Sequence, residues 1–360
     1  QSPFSQPLQY LILGSTIVYS SVLILAYWHL AALYGLYLSF TSAKWATIIF
    51  NYFIYVVGAW GVTAGAHRLW AHRSYKAKLP LQIILMLFQT MARQKTILNW
   101  VRDHRLHHKY TDTDADPYNS RRGFFYSHIG WLMVRKQPET IQKGKAIDMS
   151  DLLSNPVLQF QRKYYIVLVG LLAFILPVII PVYFWQETVN NAHHVSLLCL
   201  VIGCNVTFSI NSVAHMFGNK PYDNTISPTQ SLSLSLITFG EGYHNYHHVF
   251  PFDYRVSELG NSYLNFSTIF IDFCAWIGWA YDLKHASHEM IAKRSKKTGD
   301  GTDLWGRVKE DKCRTQADIG GEGDKNMLVN LPGQSNTINT ITWKYRTYTK
   351  EENLILNEME

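Results

Sequence analysis

Four long apolar blocks constrain this chain more than any other feature, because roughly 18–20 consecutive apolar residues are enough to cross a bilayer as a helix. The first block runs from about Leu8 to Phe40 and is expected to hold a span at about 17–37. The second span is expected at about 45–66, after a short TSAK connection. The third, YYIVLVGLLAFILPVIIPVYFW at 164–185, carries Pro177 and Pro181, which spans tolerate better than soluble helices do. The fourth lies at about 195–213. A mean hydropathy of -0.06 conceals these blocks, since they are averaged with long polar stretches. The expected fold class is an all-α membrane protein: four transmembrane helices, paired as two hairpins, with a helical cytosolic cap.

Lys and Arg set the expected orientation. The connection between the second and third spans is basic from Arg68 to Lys163, whereas the opposite side offers Lys44 and a WQETVNNAHH loop without Lys or Arg. The positive-inside rule then places the long loop and both termini in the cytosol. The formal charge of +7 could suit nucleic acid. The basic residues flank the spans, however, and form no separate domain, so anionic headgroups or an acidic protein are the expected partners. No charged n-region precedes the first block, so no cleavable signal peptide is expected and the first span serves as the membrane address. Cys199 and Cys204 fall in a span, Cys274 in an apolar stretch and Cys313 in the tail, which is no disulfide framework.

Residues 1–293 are read as an integral-membrane domain whose cap comprises 67–163 and 214–293. Within the cap, Leu79–Met91 is apolar but too short to cross, and is expected to lie in the interface. Met149–Tyr165 is expected as one helix leading into the third span. Phe266–Tyr281, which carries Asp272, is expected to pack on the cap and not to form a fifth crossing. Beyond residue 293 the sequence is polar without periodicity, and 294–360 is read as a largely disordered cytosolic tail.

The cap is crowded with histidine. Three imidazoles stand in five residues at His104-Arg-Leu-His107-His108, beside Arg102, Arg105 and Lys109. Such rings are poorly placed to take protons and well placed to bind a metal. On a helix they occupy i, i+3 and i+4, one face within reach of a common point. One cluster alone is an even choice between a metal site and a polar face. His67 and His72 form a second box, and His244, His247 and His248 repeat the first pattern, so eight of the fifteen histidines fall in three boxes. His215, at the end of the fourth span with Asn211 one turn earlier, is a ninth candidate. Eight or nine imidazoles exceed what one tetrahedral ion uses, so two metal ions with open positions fit better. Imidazole alone suits iron, zinc or copper. Asp103, Asp112 and Asp116 are candidates for orienting the rings. His29, His128, His193, His194, His285 and His288 lack box spacing. No GxGxxG after a strand and no phosphate-binding loop occurs, so a redox reaction here would draw electrons from a separate carrier.

The segments GAHRLWAHRSYKAKLP, WVRDHRLHHKYTDTDADPYNSRRGFFYSHIGWLMVRK, NSVAHMFGNKPYD and GEGYHNYHHVFPFDY, in this order relative to the spans, resemble the membrane-bound acyl-CoA desaturases of the stearoyl type. The similarity extends from about Ile17 to Gly301. The resemblance implies a mushroom-shaped helical protein of the endoplasmic reticulum membrane with a bent acyl tunnel and two iron ions (Fe2+). Carried over, the ligands would be His67, His72, His104, His107, His108, His215, His244, His247 and His248, with Asn211 acting through a water. It further implies O2-dependent insertion of a cis double bond into a long-chain fatty acyl-CoA at carbon 9. Electrons would come from cytochrome b5 and its reductase, and no HPGG-type cytochrome b5 segment occurs in the chain. Trp100 and Thr207 match positions at the tunnel's bend. Tyr55 and Ala59 match its closed end.

The departures concern the headgroup. Tyr19-Ser20-Ser21 stands where the family has WRN, Ala92-Arg93-Gln94-Lys95-Thr96 stands for AFQND, and Ile166 replaces a Lys; Arg102, Asp103, Arg162 and Lys163 remain as substrate contacts. Ser cannot reproduce the bidentate grip of Arg on phosphate. Two alternatives therefore stand beside the acyl-CoA desaturase: a desaturase or hydroxylase of another acyl lipid, and a catalytically silent lipid-binding relative.

Overall fold

The computed structural model describes residues 16–260 and 264–308. The start of the first apolar block, and the tail from 309 onward with Cys313, lie outside the described residues. Four helices are long and apolar enough to cross a membrane: α1 (Tyr19–Thr41), α2 (Trp45–Ala71), α5 (Pro156–Trp185) and α6 (Val189–Met216). Two shorter helices separate the hairpins, α3 (Leu79–Met91) and α4 (Ile97–Lys109). The cap also contains α7 (His244–Val249), α8 (Phe266–Trp276), α9 (His288–Thr298) and the two-residue strands β1 (Lys76–Ala77) and β2 (Ala280–Tyr281), paired antiparallel. The chain is a multi-pass, all-α membrane protein.

All four crossings coincide with the expected blocks, but the helices overrun them. Helix α5 begins at Pro156, not 164, and α6 covers 189–216, not 195–213. Hydropathy reports where hydrocarbon begins, whereas backbone hydrogen bonding carries a helix on past that boundary at either end. The single helix expected over Met149–Tyr165 is two, Ser150–Leu153 and α5. Asn155 caps α5, accepting from Val157 N at 2.9 Å, and Pro156 follows as the first helical residue. The tail boundary expected at 294 is also corrected, since α9 runs through it to Thr298.

The spans expose large apolar side chains such as Leu23, Leu30, Phe53, Ile166 and Phe184, as lipid-facing surfaces do. Helices α1 and α6 pack so closely that a Cβ on Gly35 would lie 2.2 Å from the His194 carbonyl oxygen. At the end away from the cap, the Glu187 carboxylate joins the hairpins. It accepts from Lys44 N at 2.8 Å, Thr47 Oγ1 at 2.6 Å and Asn191 Nδ2 at 3.0 Å. The cap core is Leu81, Leu85, Ile97, Leu98, Val101, Leu106, Met149 and Leu158, clasping α3 and α4 to the base of α5.

Candidate metal centre

Each histidine box is placed by a different local device. Helix α4 opens with Thr96 as N-cap, accepting from Asn99 N at 3.2 Å. Its regular turns put His104 and His108 one above the other. Arg105 points the opposite way, donating to the Trp70 carbonyl at 2.7 Å and to both oxygens of Asp151 at 2.8 and 3.0 Å. The cation inside the box is thus spent on tying α4 to the end of α2. That end is a π-helix over Gly61–Ala71. His67 and His72 are five apart, which an α-helix would turn away from each other. The wider π turn closes with His72 N donating to His67 O at 3.1 Å, and the two rings stand 4.9 Å apart. Such turns concentrate at functional sites.

All nine candidate histidines come together, in two groups. His67, His72, His104, His108 and His247 form one, and His107, His215, His244 and His248 the other; within each group the candidate ligand atoms lie within 4.8 Å of one another. This corrects the expectation that His104, His107 and His108 reach a common point. Helix α4 sends its i, i+4 pair to the first group and His107 to the second, while α7 sends His244 and His248 to the second and His247 to the first. The first and third boxes therefore hold both groups in one fixed relation.

Three buried carboxylates orient the rings. Nδ1 of His67 donates to Glu241 at 2.9 Å, Nδ1 of His107 to Asp116 at 2.9 Å, and Nδ1 of His215 to Asp112 at 2.9 Å. With Nδ1 protonated, each ring presents an Nε2 lone pair inward. Those Nε2 atoms are crowded. His247 Nε2 lies 2.9 Å from both His67 Nε2 and His108 Nε2, and His244 Nε2 lies 3.0 Å from His215 Nε2 and His248 Nε2. One proton can serve only one such contact, so the remaining lone pairs face each other. A bound cation in each group resolves the repulsion, and the residues present fit one.

The electrostatics agree. Burial and the neighbouring rings push His72, His104, His108, His244, His247 and His248 well below the ordinary histidine value, so they are neutral and available as ligands. For His107 burial acts in the same direction but the Asp116 and Asp112 carboxylates outweigh it, raising the value. Asp112 and Asp116 thus bear out their sequence assignment. Asp103 does not, for it turns to Lys136 at 2.6 Å and to Lys95 and Arg102. Glu241 was missed. Its signal was a carboxylate three residues before His244.

Two cavities meet beside the histidines. The first, of about 1080 Å³, runs from His67, His104, His107 and His244 down between α2 and α6, past Ala59 and Tyr55. The second opens toward α1 and is lined by Ser21, Lys95, Asp103 and Trp131. Trp100, Thr207 and Asn211 line both. At their junction Gln94 donates to Thr207 Oγ1 at 2.9 Å and accepts from Trp100 Nε1 at 3.2 Å, and the Trp100 ring stacks on His104 at 4.8 Å. Gln94 carried no role in the sequence reading. Arg102 is buried in a small cleft with Asp103 and Lys136. Arg162 and Lys163 line neither of the two large cavities.

A model of the fatty acid desaturase family matches residues 42–263, which contain every candidate histidine. The chain belongs to the fatty acid desaturase family. Among related desaturases, it is 62% identical over 290 residues, 81% of this chain and 86% of the other, to an acyl-CoA Delta(11) desaturase of Spodoptera littoralis. It is 58% identical over 286 residues (79% and 87%) to a (11Z)-hexadec-11-enoyl-CoA conjugase of Bombyx mori. An acyl-CoA Delta-9 desaturase of Acheta domesticus shares 54% over 307 residues, 85% of each chain.

Proposed function

We propose that this desaturase-family protein is an O2-dependent di-iron acyl-CoA desaturase that introduces a cis double bond into a saturated long-chain acyl group. The observation that supports the reading is that two cavities share Gln94, Trp100, Thr207 and Asn211 as lining, and that the one between α2 and α6 reaches His67 and His104 of one histidine group and His107 and His244 of the other. Iron bound in the two groups would supply the oxidising power that no side chain has against an unactivated C–H bond. The chain's own residues do the rest. The nine histidines with Asn211 hold the centre, and Glu241, Asp112 and Asp116 fix ring orientation. Trp100 and Thr207 set the bend that presents one pair of carbons, and Tyr55 and Ala59 line the far end. Apolar walls exclude water from the reacting segment. Asp103, Arg102, Arg162 and Lys163 are assigned to the headgroup side, with Lys95 adding charge where the family carries Asn.

Electrons come in this proposal from cytochrome b5 and its reductase, at a basic cap facing the cytosol from the endoplasmic reticulum membrane. Carbon 9 is the position the stearoyl-type resemblance implies. Carbon 11 is the second reading, favoured by the names of the Spodoptera and Bombyx relatives. Expression in a host lacking its own acyl-CoA desaturase, with mass-spectrometric double-bond localisation, separates the two. A new monounsaturated acid, absent from a His107→Ala control, is the expected result. Folded, iron-loaded protein with cytochrome b5 present and no new acid would overturn the acyl-CoA reading and favour another acyl lipid or a silent role.

A further inference from the structure

The end of the α2–α6 cavity remote from the histidines carries a charge. Arg93 sits in the turn between α3 and α4 with a left-handed backbone (φ 57°) and lines both cavities. Its guanidinium lies 4.2 Å from the Phe174 ring centroid on α5, and Nη2 donates to Ser196 Oγ on α6 at 3.4 Å. Ser196 is about five helical turns before His215 on α6, so the cation stands far from the metal centre. Nε and Nη1 are buried without a hydrogen-bond partner, and no carboxylate pairs with Arg93 among the described residues. A guanidinium stays charged at neutral pH even when buried. Asn51, Tyr55, Ser196 and Cys199 line the same end of the cavity.

An ionised group at membrane depth that faces an internal cavity marks function more often than packing. Each methylene that an acyl chain buries strengthens binding about fourfold. A chain long enough to lie against Arg93 instead replaces the cation's remaining solvent by hydrocarbon, with no counter-ion to compensate. The opposing effect sets in abruptly, at the length where the methyl end meets the guanidinium. We propose that Arg93 determines the acyl-length limit of this enzyme: hydrocarbon is accepted up to the guanidinium and rejected beyond it by the charge, not by lack of room. The proposal rests on the acyl-CoA reading above.

The test uses the purified full chain and a ladder of saturated, non-reactive acyl-CoA thioethers, with binding read from thermal stabilisation. Wild type is expected to gain affinity with length and then lose it at a cut-off. Arg93→Met, of similar length but uncharged, is expected to continue gaining about fourfold per methylene through that cut-off. Arg93→Lys, which keeps the charge, is expected to retain the cut-off. Superimposable length profiles for wild type and Arg93→Met would overturn the proposal, as would Arg93→Lys behaving like Arg93→Met. If Arg93→Met does not melt cooperatively, Arg93→Gln carries the same expectation. A cut-off in binding without desaturation by any variant sinks the enzymatic reading and leaves the length rule standing. Desaturation with an unchanged length profile does the reverse.

Discussion

Glu241 and Asp116 both orient a histidine, yet their loss should differ. Asp116 accepts from His107 Nδ1 and from the backbone N–H groups of Asp112 and Tyr118 at 2.8 and 2.9 Å. Asp116→Asn should therefore fold and lose roughly 10–100-fold in metal affinity, read as metal per chain after dialysis against graded chelator; full occupancy would remove its orienting role. Glu241 also holds the fully buried Arg68 at 3.0 Å. Glu241→Gln should lower metal content and also cost about 3–5 kcal/mol of stability, because a buried guanidinium loses its counter-charge. Outside the centre, Asp151 is pulled two ways: burial raises its value, and the hydrogen bonds and charges of Arg105 and Arg73 lower it further, so the net shift is downward. A depressed carboxylate contributes stability that is present above its unfolded value of roughly 4 and is lost as pH falls through the folded value. The melting temperature should therefore drop on acidification below about pH 4. That drop should shrink in Asp151→Asn, which is less stable at neutral pH.

At the scale of elements, the π-helical end of α2 does what no α-helix could with histidines five apart. Its approach to α3 is equally exacting. A Cβ on Gly61 would stand 2.1 Å from Gln89 N, so Gly61→Ala must force the helices apart. A cost of about 1–3 kcal/mol is expected from overpacking, together with reduced metal retention because His67 and His72 shift with the helix. A wild-type melting temperature and metal content would show that the contact relaxes freely. Sequence reasoning found α3 and the N-terminal part of α5 because the length of an apolar run is a local property. It missed the break at Asn155-Pro156 and the π turn. Proline at a first helical position reads like proline in a loop, and the wider turn is selected by what α2 packs against.

For the whole molecule, α9 is tied to the cap segment before α7. Ser295 Oγ donates to the Pro221 carbonyl at 2.7 Å, Thr298 Oγ1 to the Tyr222 carbonyl at 2.7 Å, and Arg294 pairs with Asp223. Truncation after 293 should destabilise the cap and lower metal content, whereas truncation after 308 should preserve both; equal behaviour of the two would show that α9 contributes nothing. Orientation is testable by acceptor-site insertion. A glycosylation site at 186–188 should be modified and one at 137 should not, and the opposite pattern would invert the proposed topology.

Reading along the chain is enough for the four crossings, the inventory of nine candidate histidines and the expectation of two metal positions. Bilayer thickness and helical period act within a single segment, and ligand number is a count. Tertiary structure alone decided how the boxes divide, since α4 and α7 each split their histidines between two groups. It also decided which acids matter, bringing Glu241 to His67 from 174 positions away and turning Asp103 toward Lys136. Those choices depend on which Nδ1 faces which carboxylate once α2, α4, α6 and α7 are packed, and residue spacing along one helix carries no information about a ring's partner on another.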